Sequence, residues 1–208
     1  MIKPLVLIEF IGTFAFSISG VRLASSKNFD WFGAFVVGFV TAIGGGTTRD
    51  LLLNVTPFWM ENPIYMICTG ISLIFVVFFS KYLTKLENTF FFFDTIGLGL
   101  FALVGIEKTL AAGYPFWVAI TMGTITGSAG GIMRDILIND IPLIFRKEIY
   151  ALACVIGGLF YYVFHYLCIN HTVIQIITMS SVMLTRFIAV KYRIGLPVLR
   201  QENKNKEL

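Results

Sequence analysis

Charge is what this chain has least of. Of 208 residues only 13% are charged, against 57% hydrophobic, and the mean hydropathy is +0.82. A soluble domain of this length carries about a quarter charged residues, so a water-soluble fold is excluded. Histidine is nearly absent, with His165 and His171 alone. Neither has the helical spacing or the carboxylate company of a metal site, and both read as polar loop residues. Three cysteines, Cys68, Cys154 and Cys168, form no C-x-x-C, which argues against a disulfide framework or a metal centre and for unpaired thiols among apolar neighbours. No nucleophile–base pair stands out, so no catalytic residue is assigned and an enzyme is not expected. The net charge of +4 is no nucleic-acid signature, because the basic residues sit mainly in short loops and the tail, where they set membrane orientation.

What is present in abundance is apolar sequence. A membrane-crossing helix needs ~20 mostly apolar residues, and seven stretches qualify: 5–21, 32–55, 64–80, 90–106, 116–138, 149–167 and 173–190. The first could pass for a signal peptide, but Glu9 lies in the middle of its apolar run. Eleven of the sixteen Lys and Arg residues follow spans one, three, five or seven, and only Lys3 and Lys108 lie in connections on the other face. The positive-inside rule then puts the N-terminus outside and the C-terminus in the cytoplasm. The expectation is one multi-pass domain covering residues 1–208 and embedded in lipid, with a basic cytoplasmic tail from 191 to 208.

The chain also repeats itself. "GGGTTRDLLLNVTP", from Gly44, returns as "AGGIMRDILINDIP", from Ala129, at an offset of 85 residues that holds without a gap. It carries Gly12 onto Gly97, Phe16 onto Phe101, Gly20 onto Gly105, Gly38 onto Gly123 and Thr41 onto Thr126. Beyond the motif it carries Asn54 onto Asn139, Pro57 onto Pro142 and Tyr65 onto Tyr150, and it matches Glu9 with Asp94 in kind. Repeat one is about 5–80 and repeat two about 90–167, with an extra helix at about 173–190. A unit of three spans is odd, so its second copy enters from the opposite side. The fold class expected is therefore all-α, with seven transmembrane helices arranged as two inverted three-helix repeats plus a seventh helix.

Consecutive glycines invite a break. Gly44, Gly45 and Gly46, and likewise Ala129, Gly130 and Gly131, are expected to kink their helices near mid-membrane and expose half-helix ends to a hydrated path. Gly44 lies ~18 Å above Phe32 along a straight helix, and Arg49 ~25 Å above it. Thr47, Thr48 and Ser128 are placed at the breaks. Arg49 is expected to pair with Glu9 and Arg134 with Asp94, each pair in its own leaflet. Membrane-embedded charge marks a functional site by default. Equally, Asp50 and Asp135 fit the first turn of a restarted helix, capped by Thr47 or Thr48, and the arginines fit a structural lock between repeats.

Other features read as membrane dressing. Trp31, Trp59 and Trp117 suit interface anchors, the aromatic run at residues 90–93 suits a lipid-facing surface, Pro57 and Pro142 suit helix terminators, and Arg186 suits a side chain reaching to the headgroups.

The doubled Gly-Gly-x-x-Arg-Asp with its following proline, the inverted three-helix units, the seventh helix and the ending "RFIAVKYRIGLP" together resemble the trimeric intracellular cation channel (TRIC) family in its bacterial branch. The resemblance covers the chain up to Pro197. It implies a homotrimer in the bacterial inner membrane, with one pore per subunit passing potassium or sodium and no cofactor. It also implies that the pore lies between the two glycine-containing helices, beside Arg49, Asp50, Arg134 and Asp135. Related bacterial proteins are assigned as small amino-acid transporters, so a secondary transporter for glycine or a similar zwitterion is the alternative.

Overall fold

The computed structural model describes residues 4–85, 89–146 and 149–197, with the side chains of residues 80–85 left aside. Lys3, Lys147 and the end of the basic tail, including Arg200, Lys204 and Lys206, lie outside the described residues. The described residues are helical, with no strand among them. In order they form α1 (Pro4–Ser26), α2 (Trp31–Leu52), a single turn α3 (Phe58–Glu61), α4 (Ile64–Lys85), α5 (Thr89–Ala111), α6 (Phe116–Leu137), α7 (Ala151–Tyr166) and α8 (His171–Lys191). A 3-10 turn at Leu143–Phe145 follows α6 where α3 follows α2. Helices α1, α2, α5, α6 and α8 are long and apolar enough to cross a membrane, while the apolar part of α4, Ile64–Phe79, and α7 are shorter.

Sequence chemistry sets the ends. Asp30 starts α2 by accepting a hydrogen bond from the Gly33 amide at 2.7 Å, and Asn170 starts α8 by accepting one from the Thr172 amide. Asn54 and Asn139, at φ 56°, stop α2 and α6. Around each the chain closes a Schellman motif, Val55 N to Asp50 O with Asn54 N to Leu51 O, and Asp140 N to Asp135 O with Asn139 N to Ile136 O. The terminators are thus the asparagines, since their short polar side chains tolerate the left-handed conformation. Pro57 and Pro142 come later and open the one-turn segments that follow.

The centre is built from α1, α2, α5 and α6, and its contacts obey the repeat. Phe16 stacks on Phe101 at 5.4 Å, and each ring fills the space a side chain would need at the partner repeat's glycine, Phe16 over Gly97 and Phe101 over Gly12. Where α2 crosses α6, Gly45 lies against the Thr126 carbonyl and Gly130 against the Thr41 carbonyl. Shifting Thr41–Gly130 by 85 and exchanging the chains' halves returns Gly45–Thr126, so a pseudo-twofold axis passes between Ile43 and Ser128. This is the architecture expected of inverted repeats.

Both glycine segments lie inside continuous helices, which corrects the expectation of broken ones: α2 runs to Leu52 and α6 to Leu137 without interruption. Here the missing side chains serve contact between backbones. Small residues let membrane helices approach closely, and a Cβ at Gly45 or Gly130 would overlap a main-chain oxygen of the facing helix.

Candidate functional site: two neutral ion clusters about a glycine crossing

Six residues beyond the crossing, each glycine helix carries its Arg-Asp pair, ~9 Å from the axis in opposite directions. In the first cluster Arg49 Nε and Nη2 lie 2.8 and 2.7 Å from Asp50 Oδ1. Asp50 Oδ2 accepts the Phe58 amide at 2.9 Å. Glu9 is held by Lys108 at 2.5 Å, and Tyr65 donates its hydroxyl to Glu9 at 3.4 Å. The Phe58 ring lies 5.8 Å from the Arg49 guanidinium and 5.6 Å from the Lys108 ammonium, within cation–π range of both.

The second cluster follows the same plan 85 residues on. Arg134 Nε donates to Asp135 Oδ1 at 2.8 Å, and Asp135 Oδ2 accepts the Leu143 amide at 3.0 Å. Arg134 Nη1 reaches Asp94 Oδ1 at 2.5 Å and Ser19 Oγ at 2.9 Å, while Tyr150 donates to Asp94 at 3.5 Å. Arg186 enters from α8, 3.8 Å from Asp94 Oδ2, donates to the Ile149 carbonyl, and packs on the Tyr150 and Phe91 rings. Phe90 covers Arg134 at 4.6 Å.

Charge decides how these clusters can exist. Glu9, Arg49 and Asp50, and Asp94, Arg134 and Asp135, are all no more than 3% exposed. Each trio alone would leave an uncompensated carboxylate inside a membrane, at a cost of several kcal/mol. Lys108 and Arg186 supply the missing cations, so each cluster holds two acids and two bases and sums to zero. In both cases the fourth charge comes from outside the repeat that needs it. The first repeat borrows Lys108 from the end of α5, and the second takes Arg186 from the unrepeated α8.

Comparison with known proteins places this arrangement. A family described as Glycine transporter matches the chain twice, over residues 6–81 and 91–166, displaced by the same 85 residues as the internal repeat. The inner membrane protein YadS of Escherichia coli is 35% identical over 193 residues, covering 91% of this chain and 93% of that protein. A membrane protein of Vibrio cholerae is 37% identical over 195 residues, covering 93% and 82%. Crystal structures of the TRIC trimeric intracellular cation channel orthologue from Rhodobacter sphaeroides superpose with a TM-score of 0.86 at 32% identity, covering 91% of this chain and 98% of that one. The chain belongs to the TRIC family. A prokaryotic TRIC channel solved in 0.5 M KCl agrees at a TM-score of 0.85 and 31% identity, covering 94% of this chain and all of that one. This TRIC protein is a multi-pass membrane protein and not an enzyme, as the family and its solved members are transport proteins.

Several expectations from the sequence change in the TRIC structure. Arg134 does meet Asp94, but Glu9 is taken by Lys108, and no Arg49–Glu9 ion pair is found among the described residues. Lys108 is the longer reach from a helix end, and Arg49 turns back onto its own neighbour Asp50. Asp50 and Asp135 sit in the last turn of continuous helices, and each caps the short segment that follows. The hydroxyls of Thr47 and Thr48 bond back to Ile43 and Gly44, and that of Ser128 to Thr124, so none caps a restarted helix. Such back-bonding bends helices without breaking them. Arg186 is 1% exposed, in the core and not at the headgroups. Phe90 and Phe91 cover arginines where a lipid-facing run was expected, and Trp59 is half-buried, donating to Thr47 at 3.0 Å. Of the histidines, His171 bonds Glu107 at the start of α8 and His165 lies within α7 against Phe116.

Lys108, Arg186, Tyr65, Tyr150 and Ser19 are the members of the site that residue patterns did not assign. The offset had paired the two tyrosines, and a count of buried charge in each motif would have demanded a further cation.

Proposed function

We propose that this chain is a cation channel with one pore in each subunit of a homotrimer, passing potassium and sodium. The observation that carries the proposal is the neutrality of the two buried clusters. Two arginines beside a cation path would repel the ion, but here each is cancelled by carboxylates within its own cluster, leaving no net positive barrier. The solved relatives are themselves described as cation channels. The path is proposed to follow the crossing of α2 and α6, with Thr47, Thr48 and Ser128 beside it and the two Arg-Asp pairs at its ends. Backbone contact at Gly45 and Gly130 supports reading this conformation as shut, so that conduction follows a parting of the two helices. The apolar outer surface faces lipid. The orientation proposed has α1, α2 and α4 to α8 all crossing, the two shorter ones included, with the N-terminus outside and the first cluster toward the outer face, a reading that the distribution of Lys and Arg supports. Like YadS, the protein is placed in the bacterial inner membrane.

The family's description as a glycine transporter supports the second reading, a carrier for a small zwitterion. Recording from planar bilayers under a potassium chloride gradient separates the two. A channel gives unitary currents reversing toward the potassium potential. Silence in the bilayer together with saturable glycine uptake into proteoliposomes overturns the channel.

A further inference from the structure

The two halves of the molecule differ where the repeat predicts that they match. Thr13 and Ser17 lie on one face of α1, a helical turn apart, and Ser17 Oγ is close to Gly38 of α2. Both hydroxyls are fully buried, and neither has a hydrogen-bond partner. Most buried or half-buried hydroxyls in these helices behave otherwise. Those of Thr41, Thr47, Thr109, Thr126 and Thr178 all bond the carbonyl four residues back. Moving on by 85, the equivalents of Thr13 and Ser17 are Leu98 and Ala102, both 0% exposed and apolar.

Register gives their depth. Gly20 touches Thr41 and Gly38 touches Val21, so α1 and α2 run antiparallel, with Thr13 level with Gly46 and Ser17 level with Ala42. Ser17 therefore reaches the level of the pseudo-twofold axis. At the near end of this seam Arg49 Nη1 is buried without a hydrogen-bond partner, as Arg134 Nη2 and Asp94 Oδ2 are in the second cluster, so the halves differ at Thr13 and Ser17 and not at the clusters themselves. In the other half, the buried hydroxyl of Thr95 has no partner either, but Thr95 is next to Asp94, at the level of the second cluster, and the seam is closed beyond it by Leu98 and Ala102. Unsatisfied buried polar groups cost ~1–3 kcal/mol each, and where they cluster they mark places that water or a polar solute occupies.

We propose that water and the hydrated cation reach the centre of each subunit from the side of the first cluster, along the seam between α1 and α2 marked by Arg49, Thr13 and Ser17. Leu98 and Ala102 form the dry barrier on the other side. The pore is then polar in one half and apolar in the other, and the ion sheds water mainly in the second half. This deepens the channel reading and rests on it for the identity of the permeating species.

The test uses full-length protein in liposomes, with Cys68, Cys154 and Cys168 replaced by alanine. Single cysteines are placed at the matched positions, Thr13→Cys and Ser17→Cys against Leu98→Cys and Ala102→Cys. A membrane-impermeant trimethylammonium methanethiosulfonate is applied to both faces, and modification is followed by intact mass. Thr13→Cys and Ser17→Cys are expected to react about tenfold or more faster than their partners. Matched rates within twofold, or faster reaction at Ala102→Cys, overturn the proposal. Should a cysteine variant fail to fold, hydrogen exchange in the wild-type protein decides, with α1 amides around Thr13 to Ser17 exchanging faster than α5 amides around Leu98 to Ala102. Equal protection overturns it. A labelling pattern as expected with bilayers silent to potassium keeps the hydrated seam and removes the channel; unitary potassium currents with a reversed pattern do the opposite.

Discussion

Neutralising Asp94 should cost more than any other single carboxylate change in the protein. Asp94 is fully buried and faces two arginines, Arg134 at 2.5 Å and Arg186 at 3.8 Å, themselves 0% and 1% exposed. Asp94→Asn leaves Asp135 as the lone anion for two guanidinium groups that cannot deprotonate and cannot reach water. Breaking a buried pair in this way costs about 3–5 kcal/mol, and at 2–4 °C per kcal/mol for a chain of this size the apparent Tm falls by roughly 6–20 °C. The corresponding change in the first cluster, Glu9→Gln, strands Lys108, whose side chain is 30% exposed at the end of α5. That ammonium can turn into water, so the loss should be smaller, on the order of 1 kcal/mol. Adding Arg186→Gln to Asp94→Asn restores neutrality and should recover part of the loss, a coupling of about 0.5–3 kcal/mol. Thermal unfolding in detergent, followed by tryptophan fluorescence, reads all three variants. If Asp94→Asn melts within 2 °C of wild type, or no lower than Glu9→Gln, the argument from charge balance is refuted.

Other variants probe the remaining parts. Gly45→Ala drives a methyl into the Thr126 carbonyl and should cost at least 1–3 kcal/mol in the same melt; Gly70→Ala, with open space around it, should be neutral or stabilising by up to about 1 kcal/mol. Asn139→Ala places a Cβ residue of low αL tolerance at φ 56° and should cost about 1–2 kcal/mol, while Asn139→Gly should be tolerated. Asp140, in the turn after α6, accepts the Ile141 amide and faces Arg146 and Lys27, and these hold its carboxyl below the ordinary 3.8. A depressed folded pKa contributes stability that is fully present above pH 3.8 and lost as the pH falls through the lower folded value. Asp140→Asn should therefore lower Tm slightly at pH 7, and the difference should vanish on acidification below the folded pKa; a difference that grows with acid contradicts the assignment.

Much of the fold could be read from the chain because lipid forces a simple grammar: apolar runs of helical length, basic residues biased to one face, and a repeat whose register is fixed by Gly, Arg-Asp, Asn and Pro. That grammar reached the helices, the duplication and the Arg134–Asp94 pair. It did not reach the role of the glycines, because backbone contact between helices and a helix break make the same local demand for a missing side chain. Nor did it reach Lys108 and Arg186. Each sits outside the repeat that needs it, Lys108 near the end of α5 in the other repeat and Arg186 on the unmatched α8, and only packing brings them to Glu9 and Asp94. Asn54 and Asn139 were visible as matched residues, but the left-handed cap they form has no periodicity to announce it. The prolines beside them drew the terminator role instead.

The central claim is that each subunit carries its own path between two neutral clusters. Single trimers in a planar bilayer, in symmetrical potassium chloride, test it most directly. Unitary currents that divide into three equal and independent levels are expected. A single level that never subdivides would point to one pore shared at the trimer axis, and would contradict the claim.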